Sequence, residues 1–139
     1  MKKYLLFTIL AVFAFAGCKK EGEQTGLQIS KIAFTECHSH REAGQKGIHH
    51  PDSVVVSCKR QTIHVTHHYL TVICGWDHID VQCRTSNDSI FILEVATPNL
   101  ANCICETDNS FQINNVPKGN HTLVFESCDP VCCKTVRIQ

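Results

Sequence analysis

The sequence predicts an all-β domain, an antiparallel sandwich or barrel of about seven to eight short strands. Three observations lead there. Beyond residue 26 no long stretch repeats its apolar residues with helical spacing. Short runs rich in Val, Ile, Thr and Phe recur instead, several alternating apolar with polar residues as half-buried strands do. Turn formers separate them, in TSND, TPN, TDN and PKGN.

The expected strands follow in order. LQISKIAF begins at Leu27, and SVVVSC at Ser53 is a β-branched run. TIHVTHHYLTVI starts at Thr62, HIDVQCRT at His78 and SIFILEVAT at Ser89. SFQINNV from Ser110, HTLVFES from His121 and KTVRIQ from Lys134 complete the set. REAGQKGIHHPD, Arg41 to Asp52, reads as the one long loop, and no internal repeat is visible.

Ahead of this domain, Lys2 and Lys3 precede an uncharged apolar run, Tyr4 to Ala16. At 13 residues it is too short to span a bilayer, which takes about 20, and fits a signal-peptide h-region. Ala16-Gly17-Cys18 then resembles a bacterial lipobox, with Phe15 where Leu is usual. The resemblance implies a lipoprotein signal peptide over residues 1–17 and acyl chains, palmitate among them, on Cys18. Such chains anchor a protein to a membrane essentially permanently. Lys19 at the second mature position resembles lipoproteins sent to the outer membrane, on either its periplasmic or its surface face. Residues 18–26 are the lipidated cysteine and a polar flexible tether, and residues 27–139 the β domain. With 13 basic and 13 acidic residues the chain has no charge excess to attract nucleic acid.

In SFQINNVPKGNHTLVFES, Phe111, Ile113 and Val116 lead into Pro117-Lys118-Gly119, and Leu123 and Phe125 alternate beyond it. The stretch resembles a hairpin common in immunoglobulin-like sandwiches of Bacteroidetes outer-membrane proteins, with His121 where those domains carry Tyr. V-T-H, a cysteine a few residues on, C-x-C and this hairpin together resemble small cysteine-rich lipoproteins of Bacteroidetes, over about Thr62 to Phe125. That resemblance implies an immunoglobulin-like sandwich and an envelope address, and brings no activity.

Nine cysteines remain beyond Cys18: Cys37, Cys58, Cys74, Cys83, Cys103, Cys105, Cys128, Cys132 and Cys133. In an oxidising compartment they read first as a disulfide framework of open connectivity, with at least one left over. Adjacent strand residues face opposite ways, so Cys132 and Cys133 need different partners. Cys103 and Cys105 face the same way roughly 6.6 Å apart, so each should meet another strand.

The histidines of IHVTHHYLTVIC offer the rival chemistry. On a regular strand Ile63, Val65, His67, Tyr69 and Ile73 share one face, and His64, Thr66, His68 and Cys74 the other. His67 then faces the apolar side, as a hydrogen-bonded core residue. A zinc or copper site would need it to converge with Cys103 and Cys105. ECHSH and IHHP, Glu36 to His40 and His49 to Pro51, are weaker loop candidates.

No nucleophile elbow, Walker loop, H-E-x-x-H or C-x-x-C motif occurs. The expectation is therefore a non-enzymatic binding or accessory module without a cofactor, facing an envelope protein or glycan. The alternative is a zinc- or copper-binding protein using His67 with Cys103 and Cys105. Asp52-Ser53-Val54 and Asp88-Ser89-Ile90 resemble O-glycosylation sequons of exported Bacteroidetes proteins, which makes Ser53 and Ser89 candidate acceptors.

Overall fold

The computed structural model describes residues 26–42, 50–97 and 101–139. The segment expected to be a signal peptide, Cys18, the expected tether up to residue 25 and His49 lie outside the described residues, as does the side chain of His40. Among the described residues no helix is long and apolar enough to cross a membrane.

Among the described residues nine strands form: β1 (Gln28–Phe34), β2 (Ser39–Glu42), β3 (Ser53–Lys59), β4 (Thr62–Ile73), β5 (His78–Ser86), β6 (Ser89–Thr97), β7 (Cys103–Asn114), β8 (Gly119–Phe125) and β9 (Cys132–Ile138). They make two layers, as expected of a β-sandwich. One sheet runs β1-β7-β4-β3, with β2 also on β7; the other runs β5-β6-β8-β9. β1 and β2 lie end to end along one edge of β7, which is 12 residues long. All pairs are antiparallel except β6 with β8. A parallel pair needs a long crossover, and β7, which lies in the opposite sheet, supplies it.

Four expectations change. The stretch Phe111 to Phe125 is an arch between sheets, because β7 and β8 belong to different layers. Phe111, Ile113, Leu123 and Phe125, all at most 2% exposed, therefore meet across the core rather than side by side. The crossing is tied by Val116, whose amide donates to the Gln61 carbonyl at 3.0 Å, and turns at Gly119, whose φ of 138° strains any L residue. His121 donates from Nε2 to the Pro117 carbonyl at 2.8 Å.

Thr107-Asp108-Asn109 is not a turn but the middle of β7, since tertiary partners engage all three polar side chains, Asn109 through its Nδ2 while its Oδ1 is buried without a hydrogen bond. Strand β2, inside the presumed loop and its approach, was not expected.

The last change is a bulge in β4. His67 faces Asn109 and Leu70 faces Thr107, so His68 and Tyr69 together oppose Asp108. The extra residue reverses the alternation beyond it. Leu70, Val72 and Cys74 are buried, while Tyr69 and Ile73 leave the inward face. Tyr69 takes the left-handed φ of 59°, and its amide donates to Asp108 Oδ1 at 3.1 Å.

The core divides accordingly. The larger cluster joins Ile63, Val65, Ile90, Ile92, Phe111, Phe125 and their neighbours across both sheets. Beyond the bulge a smaller one gathers Leu70, Val72, Ile79 and the cysteines, with Trp76 packed against it.

Candidate functional site

Inward positions of three strands turn polar at the same level. In β4 the order is Ile63, Val65, His67; in β7 it is Ile113, Phe111, Asn109; in β6 it is Ile90, Ile92, Glu94. Register sets His67 beside Asn109, and the packing of sheet on sheet brings Glu94 over both. A buried carboxylate needs partners to offset its lost hydration. Glu94 has three: His67 Nδ1 at 2.6 Å and Ser127 Oγ at 2.8 Å, both on Oε2, and Asn109 Nδ2 on Oε1 at 2.7 Å. The side chains of His67 and Glu94 are 0% exposed.

With Nδ1–H donating a hydrogen bond to Glu94, His67 Nε2 presents its lone pair on the opposite edge. Cys128 Sγ lies 3.7 Å from that nitrogen. Asp52, just before β3, completes the group: its carboxylate, His67 nitrogen and Cys128 sulfur lie within 4.8 Å of one another. Asp52, Cys128 and Cys132 also line a cleft of about 490 Å³ that reaches the surface beside Pro130 and Val131.

Cys128, His67 and Glu94 have the order of a nucleophile, a base and an orienting acid. The surroundings oppose that use. Burial, then the negative charge of Asp52, Cys132 and Glu94, pushes the Cys128 thiol up to about 12, against the Cys132 amide hydrogen bond that lowers it. A thiol beside a carboxylate suits a cation better than it suits nucleophilic attack.

The anticipated trio of His67, Cys103 and Cys105 is not assembled. Cys103 bonds Cys74 across the β4 edge of β7, and Cys105 bonds Cys37 across its other side, with Cα–Cα distances of 5.4 and 5.6 Å. Each meets another strand edge or loop, as their shared face demands. Of the nine candidates for the framework, Cys58, Cys83, Cys128, Cys132 and Cys133 are thiols. The Cys132 side chain packs against the large core and that of Cys133 is exposed, in keeping with their opposite faces.

Three other histidines, His38, His50 and His68, are engaged with carboxylates of β7 in the first sheet. His38 Nε2 and His68 Nδ1 approach Asp108 at 3.4 and 3.0 Å. His50 Nδ1 donates to the fully buried Glu106 at 2.8 Å, and its ring stacks on Tyr69 at 4.5 Å. Burial would raise the Asp108 carboxyl, but hydrogen bonds from His68 and the Tyr69 amide, with the charges of His68 and His38, hold it below the usual value. Beside the disulfides, Phe34 and Trp76 meet edge to face at 4.8 Å over a hollow of about 340 Å³. Ser53 is exposed at the start of β3; Ser89, at the start of β6, is half-buried.

Sequence reasoning found His67 but missed Asp52, Glu94, Asn109 and Cys128 as its company. Glu94 carried a signal, being the one charge inside an apolar run and at its inward parity. Asp52 and Cys128 lie in connections, where no periodicity speaks for a direction.

Fold and cluster together define a small, cysteine-rich, disulfide-stapled β-sandwich with a buried Asp–His–Cys group. No protein-family model, curated protein or solved structure matches the chain, and function is argued from the site itself.

Proposed function

We propose that this chain is a lipid-anchored, non-enzymatic binding or accessory protein of the bacterial envelope, held at the outer membrane through Cys18 and presenting its sandwich to an envelope protein or glycan. One observation carries the reading: both disulfides sit in the second core cluster, where Cys105 is 0% and Cys74 is 7% exposed. Interior staples of this kind belong to an oxidising compartment, the one to which the apolar leader and Cys18 direct the chain. The buried thiol beside Asp52 supports a non-enzymatic role, since a nucleophilic cysteine needs an electropositive, accessible setting.

Fractionation tests the anchor. Cys18→Ser should move the protein from the membrane to the soluble fraction of its host, and a variant that stays in the membrane refutes it. Intact mass tests Ser53 and Ser89 as glycan acceptors: replacing both with Ala should remove any excess over the lipidated polypeptide.

A further inference from the structure

We infer that Asp52, His67 and Cys128 bind a zinc ion, with the Asp52 carboxylate, His67 Nε2 and Cys128 Sγ as ligands and the fourth position open to the adjoining cleft. The inference rests on reading the domain as a binding module and names what this site binds. Three geometric facts support it.

The first is spacing. Zinc bonds of roughly 2.0–2.1 Å to nitrogen and 2.3 Å to sulfur, set at a tetrahedral angle, place the two atoms about 3.6 Å apart. His67 Nε2 and Cys128 Sγ stand at 3.7 Å, and the Asp52 oxygen is within 4.8 Å of both. Asp52 stands in the connection just before β3, so its carboxylate can close on an ion from outside the strands.

The second is the support behind the histidine. A metal-bound imidazole typically gives its other N–H to a carboxylate, which fixes the ring and strengthens it as a donor. Glu94 occupies that position at 2.6 Å and is itself held by Asn109 and Ser127. A histidine serving only the core could have been satisfied by one backbone carbonyl; here a buried carboxylate is spent on aiming Nε2.

The third is charge. The cluster gathers Glu94, Asp52 and a thiol around one imidazole within a few ångströms. A divalent cation supplies the countercharge. On binding, Cys128 gives its proton to solvent through the cleft, and the sulfur, nitrogen and oxygen lone pairs form the three bonds. A carboxylate in the donor set selects zinc over copper(I), which prefers soft ligands alone.

The test uses the full chain, extracted from membranes in mild detergent, stripped with chelator and reloaded with zinc or cobalt(II) alone. One zinc per chain should be retained, and the cobalt form should show a thiolate-to-cobalt charge-transfer band. Cys128→Ser should abolish that band. Asp52→Asn, at a half-buried loop position that leaves the core intact, should abolish retention. Glu94→Gln should weaken affinity by about 10- to 100-fold. Cys133→Ser, on an exposed thiol, should change nothing. A folded parent that retains no zinc overturns the inference, as does retention unaltered in Asp52→Asn and Cys128→Ser, or copper(I) displacing zinc at equal concentration. A Cys18→Ser protein that stays in the membrane yet retains zinc strikes only at the anchor, and a parent released by Cys18→Ser that retains no zinc in either form strikes only at this site.

Discussion

The two disulfides allow the sharpest test of the tertiary structure. Cys37 and Cys105 are separated by 68 residues, and Cys74 and Cys103, nested inside them, by 29. In the chain-entropy model, cross-links of these lengths stabilise by about 4.4 and about 3.6 kcal/mol at 25 °C. Because the inner bond already shortens the outer loop, losing both should cost about 7.5 kcal/mol, slightly less than the separate losses combined. Each fully buried sulfur removed adds roughly the 0.8 kcal/mol of a buried methylene. Domains of this size hold about 5–15 kcal/mol in all, so either single loss should be survivable and the double loss should leave the chain at the edge of unfolding. The perturbations are Cys37→Ala with Cys105→Ala, and Cys74→Ala with Cys103→Ala, each removing both partners so that no new thiol can exchange. Urea unfolding followed by fluorescence of the single Trp76 reports both free energies. The outer pair should cost at least as much as the inner. A loss below about 1 kcal/mol from either variant would refute the staple reasoning, as would a peptide map joining other cysteines.

Three further outcomes are expected. A thiol reagent should label Cys58 and Cys133 quickly in the native state and Cys128 slowly, with Cys83, pushed up to about 12 by burial and the Glu94 charge, also slow; equal rates at all sites would contradict the burial. His67→Ala removes the partner of a buried carboxylate and should cost about 3 kcal/mol or more, whereas His68→Ala, at a side chain 39% exposed, should cost under about 1, by thermal or urea unfolding. The Asp108 carboxyl is held below its unfolded value near 3.9, so the stability it contributes is present above that pH and fades as pH falls through its lower folded value. Asp108→Asn should flatten that acid limb of the stability curve, and an unchanged limb would count against the His38–Asp108–His68 arrangement.

Much of the fold was legible because strand formation is largely local. Alternation and β-branching marked eight of the strands, and inward parity placed Ile63, Val65 and His67 on the core face. Cys103 and Cys105 announced by their shared face that each would bond elsewhere. What the sequence alone could not decide depends on distance along the chain. The bulge at His68 and Tyr69 is stabilised by Asp108, 40 residues on, and with it the direction of Cys74, Tyr69 and Ile73. Thr107 to Asn109 read as a turn because their intrinsic preference is for one; partners from other elements hold them in a strand. The candidate site was hidden for the same reason. Asp52, His67, Glu94 and Cys128 come from a loop, two strands of opposite sheets and a turn, and only the packing of one sheet on the other brings their side chains to one point.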